Sequence, residues 1–430
     1  MERLVFKQLN EWKASVNRKP LVVRGARQVG KTWAIKEFGK RAYEQVAYIN
    51  FETSKSLHNL FESNYSIERI IFAIKIETGI QIDAENTLLI FDEIQECKGA
   101  LTSLKYFYEN APQYHIIAAG SLLGVAMSGT TSFPVGKVNF LSIFPMSFLE
   151  FLGAVKEDSL IELLEKKEWE LISVFKSKLI EYLKIYFFVG GMPEAVQEYV
   201  NTQNIAEIRK IQLEILTAYE HDFSKHAPNE IVPRIRLVWQ SIVSQISKEN
   251  KKFIYGALKK GARAKEFELA LAWLADAGLI YKINLASKPS VPLSSYSDAS
   301  AFKVFGVDVG LLAAMGDVDS KTLLTGSSIF EEFKGAIAEQ YVLQQLKSIN
   351  NYPVCYWTNE KSTAEVDFII QKNGLIIPIE VKSSENLQAK SLKVYCQKYQ
   401  PTEAIRTSLS DFRKEDWLTN VPLYAIENWF

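Results

Sequence analysis

Two stretches of this 430-residue chain, one near each end, carry residue types spaced for phosphate chemistry. In the first, the apolar run Leu21–Val23 leads into Gly25-Ala26-Arg27-Gln28-Val29-Gly30-Lys31-Thr32, the GxxxxGK[ST] pattern. Glycines let backbone N–H groups turn toward a phosphate, and Lys31 can reach β/γ oxygens. Thr32 offers a hydroxyl to Mg²⁺, and the next helix starts with its positive end at the phosphates. These eight residues with Trp33 form the expected cradle for ATP or GTP. Farther on, the buried strand Leu88–Phe91 delivers Asp92 to the Mg²⁺ shell and Glu93 to orient or deprotonate the attacking water. A third apolar strand, "HIIAAGS", ends in Ser121, a polar group beside the expected γ-phosphate position.

The second stretch is "EVDFIIQKNGLIIPIEVK", Glu365 to Lys382. Asn373-Gly374 is the strongest short hairpin signal and favours a two-residue type I′ turn. Counting outward from it, Ile370 faces Ile377, Phe368 faces Ile379, and Asp367 faces Glu380 as a non-hydrogen-bonded pair with Cβ atoms about 5 Å apart. Such a pair repels unless a cation lies between the acids, one is protonated, or they splay into water. Period two puts Lys382 on the face of Glu380 and sets Glu365 across from Lys382. Two acids can hold a metal that lowers the pKa of water and polarises a phosphodiester, while an ammonium offsets developing charge. On the preceding helix Glu332, Ala336, Glu339, Leu343 and Leu346 share one stripe, so Glu339 sits among apolar neighbours and joins the candidates; Glu332 lies on the same stripe. The plainer reading of "IEVK" is an ordinary amphipathic edge strand.

These motifs need elements to position them. Length allows about three domains. Hydrophobic residues at 47% and charged residues at 23% are a globular composition. Zero net charge gives no whole-chain bias toward nucleic acid or membrane. Cys97, Cys355 and Cys396 form no CxxC pair, which fits a reducing cytoplasm. The N-terminus lacks a secretory core, and the apolar run "IIAAGSLLGVAM" is too short to span a bilayer, so no membrane association is expected. Strands alternating with helices in the first third imply an α/β fold around a parallel sheet, with ligand at the strands' C-terminal ends.

Taken together, "GARQVGKT", "LLIFDEIQ", "AAGSLLG", "FPVGKVNFLSIFPMSFLEFL" and "FFVGGMPEAV" resemble a family of bacterial and archaeal AAA-type ATPases with a C-terminal domain of unknown function. The likeness spans nearly the whole chain and implies binding and hydrolysis of ATP with Mg²⁺. It implies a sensor role for Ser121 and a place for Gly190, Gly191 and Pro193 in a helical lid near the adenine. A glycine pair also simply ends helices. Lys137 occupies a place where relatives carry a basic residue that serves as a finger in trans, although it reads equally as a surface lysine; Arg27 is the other candidate. The D…ExK spacing resembles the PD-(D/E)xK nuclease fold, whose opening proline is absent here; the likeness implies that Asp367 and Glu380 bind Mg²⁺ and that Lys382 positions water or stabilises charge.

Between the two ends, apolar residues recur at three and four from Ser159 to Tyr199, as amphipathic helices do. From Lys248 to Ile283, short helices, a stop at Gly278 and a strand, followed by the strand "FKVFGVD", suggest a winged helix. Lys251, Lys252, Lys259, Lys260, Arg263 and Lys265 make it locally basic and suit DNA backbone contact. Its candidate recognition helix from Ala264 carries Glu266, Glu268 and Asp276, the wrong sign for phosphates, which favours packing on the ATPase or a protein partner. His221 and His226 are five apart without further ligands and give no zinc site. The expected organisation is an AAA-type P-loop core at 1–150, a helical lid at 151–230, a winged-helix domain at 231–318 and a restriction-endonuclease-like α/β domain at 319–430. Two functions fit: an ATP-dependent enzyme gating a nuclease on DNA, or an ATP-driven switch or assembly protein whose inert nuclease-like domain only binds a partner or DNA; a homo-oligomer or a protein partner is expected with either.

Overall fold

A computed structural model describes residues 2–63, 65–120, 124, 134, 136–248, 252–319, 331–350, 352–360, 363–385 and 388–430. The chain divides into two compact units, one of Glu2–Phe144 with Asp276–Gly278, the other of Pro145–Ala275 with Leu279–Phe430.

In the first unit, short apolar runs become strands β1 (Leu21–Arg24), β2 (Gln45–Asn50), β3 (Thr87–Asp92), β4 (His115–Ala119) and β5 (Asn139–Ser142). All pair in parallel, in the order β2-β3-β4-β1-β5. Every residue of β3 and β4 is buried, which explains why they read as continuous apolar runs without alternation. A sheet covered on both faces can present polar groups only at strand ends. The loop after β1 and the acids after β3 therefore emerge at the same carboxyl edge, with β4 between their strands.

The second unit holds helices Lys176–Val189, Pro193–Thr202, Ile205–His226 and Val232–Ile246, most of helix Ala264–Asp276, and an eight-stranded mixed sheet. Its order is β12-β13-β11-β10-β9-β8-β6-β7, where β6 is Ile280–Ala286, β7 Ser297–Gly306, β8 Val354–Thr358, β9 Glu365–Lys372, β10 Leu375–Val381, β11 Ile405–Ser408, β12 Arg413–Lys414 and β13 Thr419–Pro422. The hairpin expected as a wing is β6–β7, and it does not stop there. Asn284 and Leu285 of β6 pair with Cys355 and Tyr356 of β8, so the hairpin and the C-terminal strands share one sheet.

Helix Glu331–Asn350 shows why one apolar stripe was too narrow an expectation. Residues 336–346 are buried on every side. Its glutamines are satisfied by backbone and side chains: Gln340 exchanges hydrogen bonds with both backbone groups of Gly306, and Gln344 donates to Tyr186 Oη (2.9 Å) and Asp308 Oδ2 (3.0 Å). Gln345 accepts from Phe148 N–H at 2.9 Å. Buried amides with full partners fix one packing arrangement.

Gly190 and Gly191 lie in close backbone packing. Gly190 has φ +74°, and a Cβ there would stand 2.1 Å from Asp308 Oδ1; a Cβ on Gly191 would stand 2.1 Å from the carbonyl oxygen of Met146. Gly191 N–H donates to Asp308 Oδ2 at 2.7 Å, and Met146 N–H to Gly191 O at 2.6 Å. Proline at the first position of helix Pro193–Thr202 then starts a helix where no N–H partner is needed.

Near the C-terminus, Glu427 is buried and accepts from Leu149 N–H at 3.1 Å. Burial pushes its carboxyl up to about 7, with Glu150 adding to the rise and hydrogen bonds from Ser147 and Leu149 opposing it. The folded chain thus holds a proton that the unfolded chain releases near 4.5, so this group's stabilisation is complete below 4.5 and is lost as pH rises to about 7. Glu427→Gln should keep the Leu149 bond and flatten that loss, raising the thermal midpoint relative to the parent at pH 8 but not at pH 4.5.

Candidate functional site

The loop after β1 takes its shape from three residues with positive φ: Gly25 (150°), Gln28 (65°) and Gly30 (88°). A Cβ on Gly25 would stand 2.1 Å from the carbonyl oxygen of Ile143, so only glycine fits there. Gly30 directly precedes helix Lys31–Ala42, whose first N–H groups have no partner within the helix. Ala26 and Val29 are buried and anchor the loop, while Arg27, Gln28 and Trp33 are exposed. Lys31 is 6% exposed, and its ammonium donates to Gly25 O (3.0 Å) and Ala26 O (2.8 Å). Burial lowers its pKa to about 8, with Glu93 and Asp92 opposing the fall and Arg27 adding to it. An arriving phosphate would favour the charged form.

Asp92 closes β3 at 3% exposure and is the hub of the acid side. Its Oδ2 accepts from Thr32 Oγ1 (2.9 Å) and Tyr48 Oη (2.9 Å), and its Oδ1 from Glu93 N–H (3.1 Å). Glu93 adopts a left-handed conformation (φ 47°, ψ 45°), which costs a non-glycine residue roughly 1 kcal/mol or more. Gln95 donates to Glu93 Oε2 at 2.6 Å. A strained, tethered carboxylate beside the Thr32–Asp92 pair is oriented before any ligand arrives.

In the second unit, β9 and β10 pair as counted from the turn, with Lys372, Gln371, Ile370, Ile369 and Phe368 opposite Leu375, Ile376, Ile377, Pro378 and Ile379. Asn373 and Gly374 both have positive φ, 50° and 78°, as a type I′ turn requires. The ladder yields at the acids. Val381 N–H, which continued register would give to Val366, donates at 2.8 Å to Asp367 Oδ2. Glu380, 5% exposed, pairs through Oε1 with Lys382 Nζ at 2.8 Å, and its Oε2 is buried with no hydrogen-bond partner. Burial raises the Glu380 pKa; Lys382 opposes this and Glu339 and Glu365 add to it. Burial would lower that of Lys382, but Glu380, Asp367 and Glu339 raise it. Glu339 is buried at 4% exposure. Glu365 does not pair with Lys382 as the register suggested: buried Lys303 of β7 reaches it instead and forms a partly buried ion pair.

Residues 17–152 match the family model of an AAA domain. They form an AAA-type P-loop ATPase domain. Residues 180–322 match a domain of unknown function (DUF8612), and residues 334–426 match another (DUF4143). Among solved structures, the Walker-type ATPase PABY2304 of Pyrococcus abyssi is 14% identical, with 72% of this chain and 94% of that one covered at a TM-score of 0.44. The Aeropyrum pernix ORC1 protein in complex with DNA is 10% identical over 73% and 91%, TM-score 0.30. Cdc6p from Pyrobaculum aerophilum is 11% identical over 75% and 93%, TM-score 0.26. No curated protein matches the chain.

Within the ATPase domain, Gly25 to Trp33, Asp92 and Glu93 share the carboxyl edge of the sheet. Ser121 lies outside the described residues, as do Lys251 and the side chain of Glu332. Lys137 contacts its own chain, 3.1 Å from Glu109 and 5.4 Å from the ring of Tyr108. Such an exposed pair is worth about 0–1 kcal/mol and would yield easily to a better partner. Three side chains escaped the sequence reading. Arg3, 6% exposed, donates to Val29 O (3.2 Å) and Phe144 O (2.8 Å), bracing the loop from the chain start. Tyr48 reaches Asp92 from the neighbouring strand β2, a contact that no local sequence pattern signals. Lys303 was visible as a lone lysine in the apolar run "AFKVFGV".

The C-terminal cluster has hard oxygen donors, among them a buried carboxylate oxygen without a partner, and these suit Mg²⁺. Among the described residues, no group of three or more His, Cys, Asp or Glu is arranged to hold a metal. That is compatible with Mg²⁺, which is commonly held by one or two carboxylates and completed by water and phosphate. Among the described residues, no helix is long and apolar enough to cross a membrane.

Proposed function

We propose that the chain hydrolyses Mg²⁺-ATP and that nucleotide state controls a nuclease-like C-terminal domain acting on or binding DNA. The observation that carries the first half is the direct contact of Thr32 with Asp92, with Glu93 alongside. Lys31 and the loop N–H groups bind β/γ-phosphates, Thr32 and Asp92 hold Mg²⁺, and Glu93 takes the proton of the attacking water. Ser121 is assigned as a sensor near the γ-phosphate.

For the second half, support comes from Asp367, Glu380, Lys382 and Glu339 around one hairpin. Asp367 and Glu380 would hold Mg²⁺, which polarises a phosphodiester and lowers the pKa of water when bound. Lys382 sits beside Glu380 to offset charge on the phosphate oxygens, and Glu339 adds negative charge to the cluster. Purified protein with single-stranded, duplex or branched DNA, Mg²⁺ and ATP should cleave at least one substrate, and Asp367→Ala or Lys382→Ala should lose about 10²-fold or more. No cleavage of any substrate would remove the nuclease half.

The Lys382–Glu380 pair and the Val381–Asp367 bond favour a second reading, in which contacts within the chain already engage one oxygen of each acid and the domain only binds a partner or DNA. That reading predicts ATP-dependent change in oligomer size or partner affinity, lost in Lys31→Ala and kept when Asp367 and Glu380 are alanine.

A further inference from the structure

The β6–β7 hairpin brings into the C-terminal acid cluster a cation that no motif names. Lys303 stands alone as a charged residue in the β7 segment Ala301–Gly306 and is 1% exposed. An ammonium so far from water persists only with anions around it. Its partner is Glu365, 27% exposed, and its Nζ lies 4.9 Å from the ring centroid of Tyr356. The charges of Glu339 and Asp367 also act on it. Sheet registers set this meeting: Leu285 of β6 pairs with Tyr356 of β8, and Thr358 of β8 with Glu365 of β9. Lys303 therefore crosses from a hairpin distant in sequence to the strand that carries Asp367.

The cluster contains Glu339, Glu365, Asp367 and Glu380 against Lys303 and Lys382. With all six charged, two negative charges remain, matching one divalent cation. We propose that Lys303 is a built-in counter-ion of this cluster, a positioning residue that removes Glu365 from ligation and leaves Asp367 and Glu380 to hold a single divalent metal. The inference rests on the reading of those two acids as ligands. It makes the hairpin part of the site: any displacement of β7 would release Glu365.

The test compares full-length, nucleotide-free wild type, Lys303→Met, Glu365→Gln and the double variant, with Asp367→Ala as the blank for metal binding elsewhere. In EDTA, Lys303→Met should lower the thermal midpoint, and adding Glu365→Gln should recover most of that loss. Mn²⁺ titration followed by the signal of free Mn²⁺ should show Lys303→Met binding at least about tenfold more tightly than wild type at pH 8, because a unit charge near a divalent ion acts strongly in a buried site. The double variant should return toward wild-type affinity, an effect that loss of packing alone would not give. Additive losses in EDTA, or Mn²⁺ affinity unchanged by Lys303→Met, would overturn the proposal. If Lys303→Met does not fold, a folded double variant supports the counter-ion and an unfolded one overturns it. Wild type and Asp367→Ala binding Mn²⁺ alike would instead bring down the ligand reading, while the coupling in EDTA still decides the role of Lys303.

Discussion

Glu93→Gln should bind ATP about as tightly as the parent and release phosphate about 10²- to 10⁴-fold more slowly. Glutamine keeps the length and can still pair with Gln95, which now holds the carboxylate at 2.6 Å, so the local structure survives. What it lacks is a basic oxygen to take the proton of the attacking water. Binding should persist because, in the proposed function, phosphate contacts would come from Lys31 and the loop N–H groups, and Mg²⁺ contacts from Thr32 and Asp92. Single-turnover phosphate release against equilibrium nucleotide binding separates these effects; parallel loss of both would assign Glu93 to the architecture of the site rather than to its chemistry.

Gly191→Ala should be among the most damaging single-methyl changes in the second unit, costing about 3 kcal/mol, the upper range for overpacking. The added carbon would stand 2.1 Å from the Met146 carbonyl oxygen and 2.7 Å from the Met146 nitrogen, both backbone atoms that no rotamer change can move. Relief requires breaking the Met146–Gly191 bond or the Gly191–Asp308 bond. Asp308 is buried and also accepts from Gln344 and Leu311, so the disturbance spreads to helix Glu331–Asn350. Gly190→Ala should be as severe, since it adds strain at φ +74° to contact with Asp308. As a control, alanine at Gly256, where a Cβ meets nothing within 4 Å, should be near neutral. Denaturant midpoints of the three variants check this ordering. Equal, small effects at Gly190 and Gly191 would show that the pair is not locked by packing.

Local rules made some features readable without a structure. The loop from Gly25 to Thr32 depends on backbone conformations that glycines announce, and β3 and β4 announce themselves as unbroken apolar runs. The β9–β10 register from Lys372–Leu375 to Phe368–Ile379 followed from Asn373-Gly374 because a two-residue turn leaves no freedom in pairing, but the expected Asp367–Glu380 pair lies beyond the point where the ladder ends. What escaped was supplied from far away in the chain. The pairing of Glu365 with Lys382 failed because Lys303, more than sixty positions earlier, reaches Glu365 through strands whose order no local pattern encodes. Arg3 and Tyr48 support the nucleotide loop and Asp92 from other elements for the same reason. The glycine pair at 190 and 191 was visible, but its contacts with Met146 and Asp308 belong to tertiary packing. The helix around Glu339 read as half-buried because periodicity counts apolar residues and gives no credit to buried glutamines with satisfied amides.

The most direct measurement is equilibrium binding of ATP to the full chain with and without Mg²⁺, for wild type and Lys31→Ala. Loss of charged hydrogen bonds to phosphate should weaken binding by roughly 10- to 100-fold in Lys31→Ala, and wild-type binding should tighten when Mg²⁺ can engage Thr32 and Asp92. Equal affinities for the two proteins, with no response to Mg²⁺, would contradict the account.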